Sequence, residues 1–340
     1  MFHRAVLKHG PTFTVRRRRT GDAVSELDRT PHGADAPGAP RTWCLTALTD
    51  IWTGDAERKG DRLIPTGLLG SIRWWFEVVV RGLGGSACDP SEDQCPGDRK
   101  KLREAGHHCV VCEFFGCTGW ARKFRFDVLD EHGRTKTTKI VKGQDFKLRF
   151  TPLRCIEPQE WALLDLTLRL IANYAAIGGK TTSVRKEFGL VELSKSGDQV
   201  SCNEKIGRGA LEDYVRERRW RSNPLEPNRD SVDDPSPFWA SLGNFWFVAR
   251  GDRRLSELVN ALSKGGDKKW LLGCRGKSKR IFIFGPHKRT FGFFNSAELS
   301  SEKVEVILKS VWRNLNDKEV VVGSAALDRL LRGDGVTRAI

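Results

Sequence analysis

The residues best suited to chemistry in this 340-residue sequence are cysteines, since five of the nine fall between residues 85 and 118. Cys109 and Cys112 form a C-x-x-C pair, the spacing at which two thiolates bind one side of a tetrahedral zinc ion. Cys88 and Cys95 lie upstream in the same stretch and are the natural candidates for the other two ligands. The sequence therefore predicts a four-thiolate zinc site.

Other ligand sets, and no metal at all, stay open at this point. His107 or His108 could replace one of the upstream cysteines, and Cys117 is a further candidate, although its glycine neighbours favour a turn. The simpler alternative is a group of unmetallated thiols with a chance C-x-x-C. Because residues 85–118 contain few apolar side chains, an insertion there needs a crosslink, which favours structural zinc. A closed four-ligand site leaves no position for a substrate, so this zinc would support the fold.

A second group of chemically interesting residues follows a Gly-Gly pair at 178–179. Lys180, Arg185 and Lys186 stand there among three hydroxyl side chains, and flexible backbone beside such groups suits a sugar-phosphate chain. A nucleotide-binding P-loop is excluded, because Tyr174 stands where that motif needs its first glycine. The alternative is an ordinary basic loop after a helix.

Three more cations are candidates for the same contacts, namely Arg73, Arg122 and Lys123. Arg73 could instead pair with Glu77 one helical turn away. The formal net charge is +15, and a basic excess of this size attracts polyanions such as RNA. Many basic proteins bind no nucleic acid, so charge alone does not decide between the two interpretations.

Candidate catalytic residues are sparse. The sequence contains neither an H-E-x-x-H nor a G-x-S-x-G motif. His132 and His287 could act as general acid or base, and Asp127, Asp130 and Asp145 could line an RNA groove. No sequence neighbour marks any of them, and solvated loop carboxylates are far more common than catalytic ones. The sequence therefore favours a binding protein over an enzyme.

The elements that must position these residues follow the order strand, helix, two strands, helix, strand. The predicted strands lie near Trp43 and over 120–128, 136–153 and 188–193, and the predicted helices lie over 65–83 and 158–175. This order is that of a ferredoxin-like domain, a split β-α-β arrangement that hosts many functions.

The C-terminal region predicts a second, degenerate copy of this arrangement. Its strands are expected over 245–248, 281–284 and 291–294, and its helices over 255–262 and 304–315. The segment Arg289–Phe294 loosely resembles the RNP1 strand of RNA-recognition domains, but core aromatic side chains are the preferred interpretation. The expected fold class is therefore α+β, with two ferredoxin-like (RRM-like) domains and a Cys-rich insertion in the first.

The expected domain organisation has four parts. They are a flexible basic arm at 1–40, a first domain at 41–193 with its insertion at 85–118, a linker at 194–236 and a second domain at 237–340. No apolar run is long enough to cross a bilayer and no secretory signal is evident. We therefore expect no membrane partner, a cytoplasmic location and reduced cysteines.

An ordered series of motifs in the first domain resembles a known family. The series consists of I-W-T-G-D at 51–55, I-P-T-G-L-L-G-S-I-R-W-W-F at 64–76, C-V-V-C-E-F-F-G-C-T-G-W-A-R-K-F at 109–124, I-G-G-K at 177–180 and F-G at 188–189. It is similar to the first subunit of the Cmr complex, the type III-B CRISPR effector, a family within the repeat-associated mysterious protein (RAMP) superfamily. The resemblance covers about 42–193.

This resemblance implies two ferredoxin-like domains, a glycine-rich loop, and contacts with guide RNA, target RNA and other RAMP subunits. The RNA contacts would lie at the end of the guide distal to its repeat tag, and target cleavage would belong to another subunit. Two alternatives stay open. One is a RAMP-superfamily endoribonuclease acting on single-stranded RNA, and the other is an unrelated zinc-stabilised interaction module.

Overall fold

The computed structural model describes residues 38–333, except 56, 58, 89–94, 97–98, 102, 105, 182–185, 195–205, 218–238, 264–267 and 274–278. Every described residue belongs to one compact unit, Asp35–Ile340. Nearly all of the predicted arm at 1–40, most of the predicted linker and the candidate Arg185 therefore lie outside the described residues. Within the described part, no helix is both long and apolar enough to span a bilayer.

The first half of the described structure is a four-stranded antiparallel sheet with the order β2-β3-β1-β4. Its elements are β1 (Arg41–Ala47), α1 (Pro65–Gly82), α2 (Val110–Phe115), β2 (Phe124–Asp130), β3 (Asp145–Pro152), α3 (Pro158–Tyr174) and β4 (Val191–Leu193). Strand β3 lies between β1 and β2 in the sheet, although α1 connects β1 to β2 in the sequence. This is the split β-α-β topology predicted from the sequence.

Local sequence explains why these elements form. Alternate residues of β3 are buried, so Phe146, Leu148 and Phe150 face the helices while the intervening side chains face outward. Helix α3 starts at a proline, which has no amide proton to leave unpaired at the first turn. The Glu160 carboxylate accepts a hydrogen bond from the Glu157 amide at 2.9 Å and so caps that turn.

The second half repeats this topology. Its elements are α4 (Arg208–Glu217), β5 (Phe245–Val248), α5 (Leu255–Ser263), α6 (Lys268–Leu272), β6 (Ile281–Phe284), β7 (Arg289–Phe293), α7 (Ser301–Val311), β8 (Val320–Val322) and α8 (Ala325–Arg332). The strand order β6-β7-β5-β8 corresponds strand for strand to that of the first sheet. Two ferredoxin-like sheets are thus confirmed, although β8 and α8 were not anticipated from the sequence.

The two halves share one hydrophobic core. Trp75 of α1 stacks on Phe293 of β7 with ring centroids 6.1 Å apart, and both side chains are almost fully buried. The Arg289 guanidinium donates hydrogen bonds to the carbonyls of Ala172 and Ala175, at 2.9 and 2.8 Å, at the C-terminal end of α3. Every residue of β7 is buried, so the RNP1-like segment supplies core aromatics and not a base-stacking surface.

Candidate metal centre and nucleic-acid interface

The four predicted cysteines lie together. The sulfur atoms of Cys88, Cys95, Cys109 and Cys112 are all within 4.8 Å of one another. Cys88 Sγ lies 3.3 Å from Cys112 Sγ and 3.6 Å from Cys109 Sγ. Zn–S bonds of about 2.3 Å in a tetrahedron place sulfur atoms about 3.8 Å apart, so the arrangement fits a zinc ion.

Local backbone geometry holds the C-x-x-C pair in place. Cys109 caps the N-terminus of α2, and its sulfur accepts a hydrogen bond from the Cys112 amide at 3.4 Å. Cys95 Sγ accepts from the Cys109 amide at 3.3 Å. Hydrogen bonding with Cys109 is the main cause that lowers the pKa of the Cys112 thiol to about 4. Hydrogen bonding with Cys109 and Cys112 raises the pKa of the Cys88 and Cys95 thiols, so the lowered pKa is not shared by the whole cluster. The thiolate is the form in which cysteine binds metal.

Arg73 binds to this cysteine cluster through hydrogen bonds. Its guanidinium donates to Cys112 Sγ at 3.2 Å, to the Gly116 carbonyl at 2.7 Å and to Glu77 at 3.2 Å. Four thiolates carry more negative charge than one zinc ion neutralises, and a guanidinium bound to a ligand sulfur offsets part of the excess. Burial raises the pKa of Glu77 to about 7, against the lowering effect of Arg81 and Arg73.

The alternative ligands lie outside the four-sulfur set. His108 stacks on Trp120 with centroids 4.5 Å apart, and His107 lies 3.3 Å from Glu104. The Cys117 thiol donates to the Cys95 carbonyl at 3.0 Å. Among the described residues, the cluster consists of the four cysteines predicted first.

The two neighbouring candidates, Arg122 and Lys123, have different environments. Lys123 is 6% exposed, and its ammonium group donates to both carboxylate oxygens of Glu160, at 2.8 and 2.9 Å. Lys123 is therefore a buried partner for the capping carboxylate of α3. Arg122 is half-buried, with its guanidinium 6.0 Å from the centre of the Phe124 ring.

The glycine-rich loop packs around Trp52. A Cβ atom at Gly54, Gly60 or Gly179 would lie under 3.0 Å from atoms of the indole, so any other residue there would displace the Trp52 side chain. The Gly179 amide donates to the Trp52 carbonyl at 2.8 Å. Lys180 follows in the left-handed region with φ 55°, and its ammonium group lies 4.4 Å from the centre of the Trp52 ring. Trp52 therefore fixes the loop backbone and orients its first cation.

Beside this loop, Asp50 gathers three hydrogen-bond donors. Asp50 Oδ2 accepts from Lys186 Nζ at 2.8 Å and from Lys139 Nζ at 3.0 Å, while Oδ1 accepts from the Lys142 amide at 3.0 Å. The hydrogen bond from Lys186 is the main cause that holds the Asp50 pKa well below its usual range, and those from Lys142 and Lys139 add to it. The sequence had singled out Lys186, but it had not identified Asp50, Lys139 or Lys142.

Backbone hydrogen bonds join these segments into one surface, which we call the glycine-loop surface and define as residues 50–55, 57, 59–62, 136–142, 178–181 and 186–189. The Ile51 amide donates to the Ile140 carbonyl at 3.0 Å, and the Gly189 amide donates to the Asp50 carbonyl at 2.9 Å. Lys142, Lys180 and Lys186 are exposed on it. The regular spacing of lysines at 136, 139 and 142 was the sequence signal that could have revealed its second edge.

The residues considered for catalysis or for an RNA groove lie next to polar or charged neighbours near the protein surface. His132 lies 3.3 Å from Glu131 with both side chains 65% exposed. Asp127 accepts from Arg149 at 3.3 Å, and Asp130 accepts from Arg134 at 3.0 Å. His287, in the turn after β6, lies 3.8 Å from Glu187 of the glycine-loop surface. Each of these pairs is an ordinary arrangement on a protein surface.

Comparisons with known proteins give one family match, which lies in the first half of the chain. Residues 44–183 match the model of the RAMP superfamily. No curated protein matches the sequence significantly. A crystal structure of apo Cmr1 from Pyrococcus furiosus is similar at 12% identity and a TM-score of 0.41, covering 87% of this chain and 97% of that one. A chain of a type III-B Cmr-beta complex bound to target RNA and AMPPnP is similar at 10% identity and a TM-score of 0.40, covering 79% and 98%.

Four of the five motifs that carried the resemblance lie entirely within the family match, which ends before the F-G pair at 188–189. The match also spans the metal-ligand candidates and most of the glycine-loop surface. Residues 44–183 of this chain are therefore similar to the RAMP superfamily.

Proposed function

We propose that this protein is a non-catalytic RNA-binding subunit of a type III-B CRISPR effector complex, located in the cytoplasm and acting in antiviral defence. The observation that carries the proposal is the glycine-loop surface, where exposed cations stand on a backbone fixed by Trp52 within the region similar to the RAMP superfamily. Guide RNA, target RNA and other RAMP subunits of the Cmr complex are the proposed partners.

The proposed RNA contacts are electrostatic. Lys180 and Lys186 are exposed, and an ammonium group has three donors, of which Lys186 uses one on Asp50. Contacts of this kind position sugar-phosphate without reading sequence, as a subunit that accepts many guides requires. Arg185 and Arg122 complete the proposed set. Arg73 and Lys123 were candidates on sequence grounds, but their internal hydrogen bonds support structural roles instead.

We further propose that the four clustered cysteines hold a structural zinc ion. Four sulfur ligands close the coordination shell, so the ion would crosslink the chain and would not bind substrate. The four cysteines lie between α1 and β2 in the sequence. The ion would therefore connect the irregular stretch around Cys88 and Cys95 to helix α2.

The RNA proposal is tested by measuring the affinity of the full chain for single-stranded RNA over a range of salt concentrations. Replacing Lys180, Arg185 and Lys186 with alanine should weaken binding and reduce the slope of log K against log salt by about 0.7 per lost phosphate contact. Lys309→Ala, on α7, removes one cation outside the proposed site and is the control for the effect of each lost charge on the slope. An unchanged slope in the triple variant would refute the site.

A second candidate function is RNA cleavage, because His287 adjoins the glycine-loop surface through Glu187. Incubating the purified chain with single-stranded RNA, with and without divalent metal ions, separates the two. Cleavage that disappears in His287→Ala would favour the endoribonuclease. Binding without cleavage would favour the first proposal.

A further inference from the structure

We infer that Asp50 is a positioning residue that holds Lys139 and Lys186 together as a paired clamp for one backbone phosphate of single-stranded RNA. This inference rests on the proposed RNA-binding function and adds to it a second edge of the glycine-loop surface, contributed by the connection between β2 and β3. It also means that an acidic residue, Asp50, strengthens the binding of a polyanion.

The two lysines meet on a single atom. Lys139 Nζ lies 3.0 Å and Lys186 Nζ 2.8 Å from the same oxygen, Asp50 Oδ2. Two ammonium groups repel each other, and without a shared acceptor they would separate. Because the carboxylate cancels one of their two charges, the group keeps a net positive charge while the lysines stay adjacent.

Each ammonium group retains donors for a ligand. Lysine has three N–H donors, and each of the two lysines spends one on Asp50. A phosphate group can accept from both ammonium groups at once, because it presents several oxygens. Lys186 is 58% exposed and Lys139 is 28% exposed, so solvent and ligand can reach both. A flexible, compact cation suits a phosphodiester better than a base edge.

Asp50 itself is not free to move aside. Its side chain is 14% exposed, and its Oδ1 accepts from the Lys142 amide at 3.0 Å. Its own carbonyl accepts from the Gly189 amide at 2.9 Å. A phosphate therefore adds to the outer side of the clamp and does not displace the carboxylate.

The decisive experiment compares RNA binding by the wild type, Asp50→Asn and Asp317→Asn. Asp317 accepts from Lys309 at 3.0 Å and is 89% exposed, so its replacement adds the same unit of charge at another lysine-bound carboxylate. If Asp50 positions the clamp, Asp50→Asn should bind roughly fivefold more weakly although it is more basic. Asp317→Asn should bind as the wild type does. Equal or tighter binding by Asp50→Asn would overturn the inference.

A double-mutant cycle then tests whether Asp50 acts through Lys186. Lys186→Ala should weaken binding, and adding Asp50→Asn to it should weaken binding little further, because the clamp is already broken. Fully additive losses would contradict the clamp. Thermal unfolding of each variant in the absence of RNA identifies any loss that comes from misfolding.

A phosphate-only probe separates this inference from the proposed function. If the wild type binds tripolyphosphate more tightly than Asp50→Asn does, the clamp is supported even where RNA binding fails. Equal tripolyphosphate affinities would overturn the clamp even where the wild type binds RNA.

Discussion

The two ferredoxin-like sheets have one strand order but differ in how many faces they bury. In β3 of the first sheet, buried and accessible residues alternate, so that sheet has a core face and an outward face. In β7 and β5 of the second sheet every residue is buried. Phe291 and Phe293 join the core shared with the first half, while Trp246 and Val248 join a second core with α5 and α7.

Arginines on equivalent strands illustrate what this difference means. Arg149 of β3 is 35% exposed and pairs with Asp127 on the outward face. Arg289 of β7 is 7% exposed and binds carbonyls of α3 in the other half. The sheet of the second copy therefore packs against the first copy and stabilises it. The first copy exposes its loops and cations to solvent.

The largest expected effect comes from the proposed zinc site. Replacing Cys109 and Cys112 with serine should abolish zinc binding and unfold the first half, since zinc binding contributes on the order of 10 kcal/mol to the folding of such sites. The shared core predicts that the second half unfolds with it. Metal analysis and thermal unfolding measure both effects.

The matched control for this variant is Cys155→Ser, because Cys155 is exposed and lies outside the cluster. It should retain one zinc ion per chain and the wild-type unfolding temperature. A wild-type chain purified without zinc and fully folded would show that the cysteines need no metal. Two separate unfolding transitions would show instead that the halves are independent.

The next effect tests the shared core directly. Phe293 is fully buried and contacts Trp75, Trp239 and Phe245. Replacing it with alanine should cost about 3–5 kcal/mol of unfolding free energy, because a cavity opens between the halves. Val306→Ala, at a side chain 68% exposed on α7, should change the free energy by less than about 0.5 kcal/mol. Similar losses for both variants would contradict a shared core.

The two arginines give a smaller and more specific test. Arg289→Met leaves two buried carbonyls without their donor and should cost about 2 kcal/mol in urea unfolding. Arg149→Met removes a surface ion pair and should cost less than about 1 kcal/mol. Equal losses of unfolding free energy would mean that the second sheet does not stabilise the first half.

Sequence patterns predicted the features that depend on near neighbours. The four cysteines were found because a C-x-x-C pair and two upstream cysteines fall within one irregular stretch. Strands such as Phe245–Val248 were found because their apolar runs are dense. The short strand Val320–Val322 was missed, because three β-branched residues give little signal until they pair with β5.

Features that depend on distant partners were harder to predict. Lys123 resembled a surface cation until its partner Glu160, 37 residues away, was placed beside it. Asp50 meets Lys139 and Lys186 across 89 and 136 residues. No local period predicts such a meeting, because the fold brings the segments together.

The smallest expected effect is the pH dependence of the stability that the Asp50 contacts give to the first half. The pKa of Asp50 is lowered in the folded protein, chiefly by the hydrogen bond from Lys186. An unfolded aspartate titrates near pH 3.9, so the carboxylate stabilises the fold above about pH 4 and loses this effect as the pH falls through its lower folded value. Asp50→Asn should therefore be less stable than the wild type at pH 7, by about 1 kcal/mol or less. In urea unfolding, the difference in unfolding free energy between the wild type and Asp50→Asn should shrink below pH 4. A difference that is independent of pH would mean that the contacts of the two lysines do not depend on the charge of the Asp50 carboxylate.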